Sequence, residues 1–234
     1  MSTINEFVDA QNPNVIEAPL DGHPYLRKDG VWLRAADSAV YTPPPFATHV
    51  TDVSSWNVVG DTPILDGSGN VTFANPASVT EIDTCNNFDP GAALDFSMLT
   101  GLLTIGNSAF NGQGNLTGNL VLCDPLTSIG DSAFYNCYGL TSLTIPSSVT
   151  SIGDGAFYNC SRLTSLTIPS SVTTIGGSAF SNCYVLTSVH CLALAAPSLG
   201  SDVFDSIAAT QIHVPTAATG YGSTFGGLTV IADL

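Results

Sequence analysis

A 23-residue repeat restricts the fold of this sequence more than any other feature. Residues 126–148 read LTSIGDSAFYNCYGLTSLTIPSS, residues 149–171 read VTSIGDGAFYNCSRLTSLTIPSS, residues 172–190 continue in phase, and residues 103–125 form a weaker copy. The recurring apolar residues are Ile129, Ile152 and Ile175; Phe134, Phe157 and Phe180; and Leu140, Leu163 and Leu186. One unit of this length cannot close a core, so we expect the units to stack into a solenoid.

Each unit divides into a strand and a return segment. Leu143 and Ile145 alternate with polar residues, which predicts a strand with one buried face, and Pro146 is expected to end it. The residues predicted to lie inside the return segment are Val149, Ile152, Ala156, Phe157 and Cys160. Asp154 is expected to cap a short helical turn at residues 156–158.

The segment LTSLTIPSSVTSIGDGAFYNCSR closely resembles the BspA-type, or Treponema-type, leucine-rich repeat. The resemblance extends over about residues 100–234. The resemblance implies a mainly β fold with short helical turns, in which a leucine-rich-repeat solenoid carries one short parallel strand per unit. The last residues look like the terminal segment of that family, through Ile212, Val214, Pro215 and Tyr221. In that family such domains are mostly surface or secreted binding modules without catalytic residues.

Composition excludes two classes of partner. The chain has 4 Lys and Arg residues against 19 Asp and Glu residues, a formal net charge of -15. Nucleic acids and anionic membrane surfaces attract clustered cations, so neither is expected to bind. No apolar stretch approaches the roughly 18 residues of a membrane span. The opening MSTINEFVDA lacks the features of a secretory signal, so we expect folding in a cytoplasm.

The N-terminal segment differs from the repeats. Asp29-Gly30 lies between two short apolar stretches, which predicts a β-hairpin too small to be stable alone. The pattern DG-x-x-Y-x-R-x-DG-x-W over residues 21–32 resembles short modules of bacteriophage tail-fibre proteins. This resemblance implies an anchor to a larger assembly. The candidate anchor residues are Tyr25, Arg27, Lys28, Trp32 and Arg34.

These patterns predict four regions. Residues 1–45 form the anchor or oligomerisation segment with its hairpin, and residues 46–100 form an irregular β cap or a small β-domain. Residues 101–210 hold the repeats and residues 211–234 the C-terminal cap. Within the second region, strands are predicted at 50–59 and 64–73, with a turn at 66–70.

No catalytic, cofactor or metal site is predicted, and the chain is not expected to be an enzyme. The sequence DGSGN at 66–70 lacks the terminal Glu and flanking helices of a calcium-binding EF-hand. The four histidines show no metal-ligand spacing. His190 and Cys191 are strand neighbours that point to opposite faces, so they cannot form a nucleophile pair. The repeated Cys137, Cys160 and Cys183 are predicted to be reduced core thiols.

The remaining candidates are surface residues of the repeats. The candidate ligand-binding surface comprises Ser142, Thr144, Ser165, Thr167, Ser188, His190, Tyr135, Tyr158, Tyr138, Tyr184 and Arg162. Hydroxyl and aromatic groups with little charge suit a neutral glycan or a protein patch, and Tyr and Arg are enriched at binding hot spots. In the alternative interpretation, the hydroxyls only solubilise the strands and the tyrosines pack over the coil edges.

The two resemblances together favour a bacteriophage virion protein, a tail or head fibre made in the host cytoplasm. Its N-terminal segment would contact other virion proteins, its repeats would bind a host surface protein or glycan, and a homotrimer is expected. The alternative is a bacterial cell-surface or secreted leucine-rich-repeat adhesin. A polysaccharide-active enzyme is disfavoured because no motif supplies an acid/base pair.

Overall fold

The structure is a computed structural model that describes residues 45–234 except 49, 51, 66–67 and 89–90. Before residue 45 it describes the backbone of three strands. The chain divides into two compact units, Met1–Pro44 and Pro45–Leu234. The four predicted regions remain a prediction.

The first unit contains the predicted hairpin. Strands β1 (Tyr25–Lys28), β2 (Val31–Arg34) and β3 (Val40–Tyr41) form an antiparallel sheet in the order β1-β2-β3. Tyr25 pairs with Arg34, and Arg27 pairs with Trp32. The side chains of the five candidate anchor residues lie outside the described part of the chain, so their role stays a prediction.

The second unit begins with a hairpin and a row of short strands. The hairpin is β5 (Pro63–Leu65) with β6 (Val71–Phe73). The row consists of β4 (Asn57–Val59), β7 (Glu81–Thr84), β8 (Thr104–Ile105), β10 (Ser128–Ile129), β12 (Ser151–Ile152), β14 (Thr174–Ile175) and β16 (Ser198–Leu199). Its members pair in parallel except β4, which is antiparallel to β7. Of the strand predicted at 50–59, the described residues form a strand at 57–59 and a single bridge at Val50.

A second row of strands runs along another side of the solenoid. It consists of two sheets. One pairs β9 (Gly118–Val121) with β11 (Leu140–Thr144), and the other has the order β13 (Ser165–Ile168), β15 (Ser188–Cys191), β17 (Gln211–Val214), β19 (Leu228–Ala232) and β18 (Thr224–Phe225), in which β18 is antiparallel to β19. The fold class is therefore confirmed as a mainly β, parallel-strand solenoid. The expectation of one strand per unit is wrong, because the Ser-Ile segment of each unit also pairs with its neighbours.

The return segments are tight turns, so the helical turn predicted at residues 156–158 is wrong. Two residues per coil adopt a positive φ, for example Gly155 at 59° and Asn159 at 56°. Asn tolerates this left-handed conformation better than most residues, which explains the Asn before each repeated cysteine. Asp154 caps no helix, since its carboxylate accepts the backbone N–H of Gly177 in the next coil at 2.5 Å.

The core is a continuous column of side chains, as the repeat predicts. Phe110, Phe134, Phe157, Phe180 and Phe204 stack in sequence with ring centroids 5.0, 5.2, 5.4 and 6.0 Å apart. These separations follow from the spacing of paired strands, about 4.8 Å. All five rings are buried.

Both ends of the column are covered. At the N-terminal end, the ring of Phe96 packs 6.1 Å from that of Phe110, and Phe46 packs 5.3 Å from Phe96. At the C-terminal end, the buried Tyr221 donates its hydroxyl to the carbonyl of Ala193 at 2.8 Å. Residues 46–100 thus share one apolar core with the repeats.

Candidate binding faces

The second row of strands carries a row of polar side chains, here called the strand face. It comprises Asn119, Ser142, Thr144, Ser165, Thr167, Ser188, His190 and His213. Register brings them together, since Ser165 pairs with Ser188 and Thr167 pairs with His190. The predicted strand residues are therefore neighbours, each separated from the next by one coil.

The threonine hydroxyls on and beside the strand face differ in their hydrogen-bond partners. Thr164 donates its hydroxyl to the carbonyl of Thr141 at 3.4 Å, and Thr187 donates to Thr164 at 3.3 Å. Those threonines therefore stabilise the stacking of coils. Thr144 and Thr167 are exposed and donate to no group in the described part of the chain. Their hydroxyls remain able to donate and accept hydrogen bonds.

One end of the strand face holds two histidines. His190 and His213 pair in register on β15 and β17, and their ring centroids lie 5.2 Å apart. Both carboxylate oxygens of Asp233 lie 2.9 Å from Nδ1 of His213. Sequence reasoning singled out His190 but missed His213 and Asp233. The available signal was the spacing, because His213 follows His190 by one 23-residue interval.

The tyrosines divide into two kinds. The rings of Tyr135 and Tyr158 stack 4.6 Å apart, and the Tyr158 hydroxyl accepts a hydrogen bond from Asn182 at 2.5 Å. This pair packs along the turns, as the alternative interpretation proposes. Tyr138 and Tyr184 are 45% and 56% exposed. These two and the exposed Arg162 precede β11, β15 and β13, and we call them the turn edge.

A groove of ≈ 440 Å³ lies along the first row of strands, and sequence reasoning missed it. Its lining includes Ser151 and the Ile-Gly-Asp sequences of two coils, at residues 129–131 and 152–154. Glycine is required there, because a Cβ on Gly153 would lie 2.6 Å from the backbone nitrogen of Asp131. The acidic side chains support the stack, since Asp131 accepts the backbone N–H of Asp154 at 2.8 Å. The repeated IGD was the available signal.

All six cysteines are free, and five of them are buried. The thiols of Cys137, Cys160 and Cys183 lie 3.2–3.4 Å from phenylalanine carbonyl oxygens of the preceding coils. Burial raises the pKa of Cys137 and of Cys183 to about 12. The prediction of reduced core thiols is confirmed, and these protonated thiols are poor nucleophiles.

A known protein family matches the repeat region of this chain. Residues 94–225 match the BspA type leucine rich repeat region in 6 copies, which is more than half of the chain. The chain belongs to the BspA-type leucine-rich-repeat family. The likeness of its N-terminal segment to bacteriophage modules receives no support from the comparisons, and no curated protein matches this BspA-type chain.

Solved structures of bacterial leucine-rich-repeat proteins are similar to this chain. The leucine-rich-repeat protein of T. pallidum is 22% identical with a TM-score of 0.51, covering 75% of this chain and 80% of that one. The pneumococcal vaccine antigen PcpA is 17% identical with a TM-score of 0.51, covering 71% and 46%. A leucine-rich-repeat protein from Bacteroides ovatus is 23% identical with a TM-score of 0.45, covering 67% and 43%. The chain therefore spans less than half of the last two proteins.

Within the described residues, no helix is long and apolar enough to cross a membrane. The same part of the chain contains no group of three or more His, Cys, Asp and Glu side chains placed to hold a metal ion.

Proposed function

We propose that this chain is a binding module of a bacterial cell-surface or secreted leucine-rich-repeat protein, and that its strand face binds a neutral glycan or a protein patch. The observation that carries the proposal is the strand face itself, in which outward hydroxyls recur on the successive strands β11, β13 and β15. Thr144 and Thr167 contribute hydroxyls that no described group of the chain occupies.

Charge supports a neutral ligand. The formal net charge is -15, yet the strands β9, β11, β13, β15 and β17 contain no Asp, Glu, Lys or Arg. Burying an unpaired charge against a ligand is costly, whereas hydroxyls exchange hydrogen bonds with water for hydrogen bonds with a ligand. An anionic polymer would also be repelled by the acidic remainder of the molecule.

The turn edge adds exposed aromatic side chains next to the strand face. Tyr138 and Tyr184 are exposed and lie just before the strands that carry the hydroxyls. Exposed tyrosine rings offer a flat apolar surface and a polar hydroxyl, the combination enriched at interfaces. Arg162, the only basic residue after Arg34, lies among them and can donate to ligand carbonyl or hydroxyl oxygens.

A bacteriophage fibre is the competing hypothesis. It depends on the motif at residues 21–32, which the family match at 94–225 does not reach. Membership of a family whose domains are mostly surface or secreted binding modules favours the bacterial alternative.

Two measurements test the proposed function. Gold-labelled antibodies against residues 45–234 should label the surface or the secreted fraction of the organism that encodes the chain. Label on phage particles alone would contradict that location. The purified chain, applied to printed arrays of neutral oligosaccharides and of extracellular proteins, should bind a subset of neutral ligands. Binding to neither array would contradict the proposed activity.

A further inference from the structure

We propose that His190 and His213 form a surface site for a borderline divalent metal ion of the Zn²⁺ or Cu²⁺ class. The two residues pair in register on adjacent parallel strands, so their side chains leave the same face of the sheet. Both side chains are partly exposed. Both residues also belong to the strand face, but metal binding by them does not require that face to bind a glycan or a protein.

Acceptors beside Nδ1 of both imidazoles favour the tautomer with the lone pair on Nε2. Asp233 lies 2.9 Å from Nδ1 of His213, and a carboxylate at this distance accepts the Nδ1–H. The lone pair of His213 is then on Nε2, where a metal ion binds. A carboxylate behind a ligating histidine is the usual second-shell arrangement of metal sites. Ser188 Oγ lies 3.4 Å from Nδ1 of His190 and is placed to accept from it in the same way.

The separation of the two rings fits coordination by one ion. Two imidazole nitrogens held at about 2.0–2.1 Å from a tetrahedral Zn²⁺ place the ring centres about 5 Å apart. The observed distance between the ring centroids of His190 and His213 is 5.2 Å. The backbone pairing of the two strands imposes this spacing.

The surroundings favour a cation. Asp233 supplies a negative charge directly behind His213, and Arg162 is the only Lys or Arg after residue 34. Imidazole ligands suit zinc and copper, whereas magnesium and calcium prefer oxygen ligands. Because two histidines leave coordination positions open, water or a donor group of a bound ligand would complete the shell. We therefore expect micromolar affinity.

Isothermal titration of the full chain, purified without a histidine tag, tests this site with ZnCl₂ and with CuSO₄. One ion per chain should bind at pH 7.5. H190Q and H213Q should each weaken binding by about tenfold or more, and D233N by about 10–100-fold, the usual effect of losing a second-shell partner. H49Q is the matched control and should bind as the unaltered chain does.

A second readout separates ligation from folding. Both histidines lie on partly exposed positions, so the melting temperature without metal should change little in H190Q and H213Q. Added Zn²⁺ should raise the melting temperature of the unaltered chain and of H49Q, and of neither of the other two variants. The proposal is overturned if no ion binds at millimolar concentration, or if H190Q and H213Q bind as tightly as H49Q.

Discussion

The ring of Phe157 stacks on that of Phe180, with centroids 5.4 Å apart and planes 5° from parallel. Phe134 stacks on the other side at 5.2 Å, so Phe157 packs between two rings and is buried. A side chain in this position contributes packing energy to three successive coils. The column therefore couples the stability of each repeat to that of its neighbours.

Replacing Phe157 by Ala should lower the free energy of unfolding by about 3–5 kcal/mol, through lost burial and the cavity that remains. Urea denaturation followed by circular dichroism measures the change. F157L keeps most of the volume and should lose clearly less. A variant F157A that unfolds at the same urea concentration as the unaltered chain would contradict the stacked core.

Two glycines two residues apart should respond differently to alanine. A Cβ on Gly153 would meet the backbone of the preceding coil at 2.6 Å, so G153A should cost about 2–3 kcal/mol through forced separation of coils. Gly155 has a φ of 59° and only ordinary contacts for a Cβ, so G155A should cost about 1–2 kcal/mol of backbone strain.

Ser132 occupies the position equivalent to Gly155 one coil earlier, with a φ of 54°. Because glycine adopts this conformation without strain, S132G should cost nothing and serves as the control. Denaturation curves of G153A, G155A and S132G give the order of their free energies of unfolding. A larger loss in G155A than in G153A would show that backbone strain limits this turn more than the close approach of the coils does.

The buried thiols predict loss of stability in alkali. Burial raises the pKa of Cys137 and Cys183 to about 12, while thiols of the unfolded chain ionise near pH 9. The folded state therefore keeps protons that the unfolded state releases. Stability is complete below pH 9 and falls as the pH rises from about 9 toward 12. Urea midpoints between pH 8 and 11 measure this fall.

C137A/C183A is the matched variant for the alkaline effect. It is less stable at pH 8 because it leaves cavities, but its stability should decline less steeply with pH. Labelling with a thiol reagent at pH 8 provides a second check, in which buried thiols react only after unfolding and the half-buried Cys123 reacts first. Rapid labelling of all six cysteines in the folded chain would contradict the burial.

The repeat made the core predictable, whereas the strands and the sites were less so. Phe157 and Ile152 were correctly assigned to the core because the same apolar residue recurs every 23 residues. Equivalent positions of successive coils must then lie above one another in the solenoid. The Ser151–Ile152 strand was missed because two residues cannot display a period of two. The positive φ of Asn159 was missed because the backbone conformation of a turn depends on the residues on both sides of it.

The histidine pair was missed for a different reason. The 23-residue interval between His190 and His213 was the available signal, but the repeat that contains His213 is degenerate and its other positions do not resemble the earlier copies. Asp233 joins them because β19 adds a parallel strand beside β17, a contact between distant parts of the chain. Local patterns carry no information on such contacts.

The most direct test of the account compares two double variants for binding to the neutral ligands found on the arrays. T144E/T167E places two carboxylates on the strand face, and T150E/T173E places two at exposed positions just before β12 and β14, with the same spacing. The account predicts that T144E/T167E weakens binding by about tenfold or more, since a ligand would have to bury charge. T150E/T173E should bind as the unaltered chain does. Equal binding by both variants, or loss in T150E/T173E alone, would contradict the assignment of the strand face.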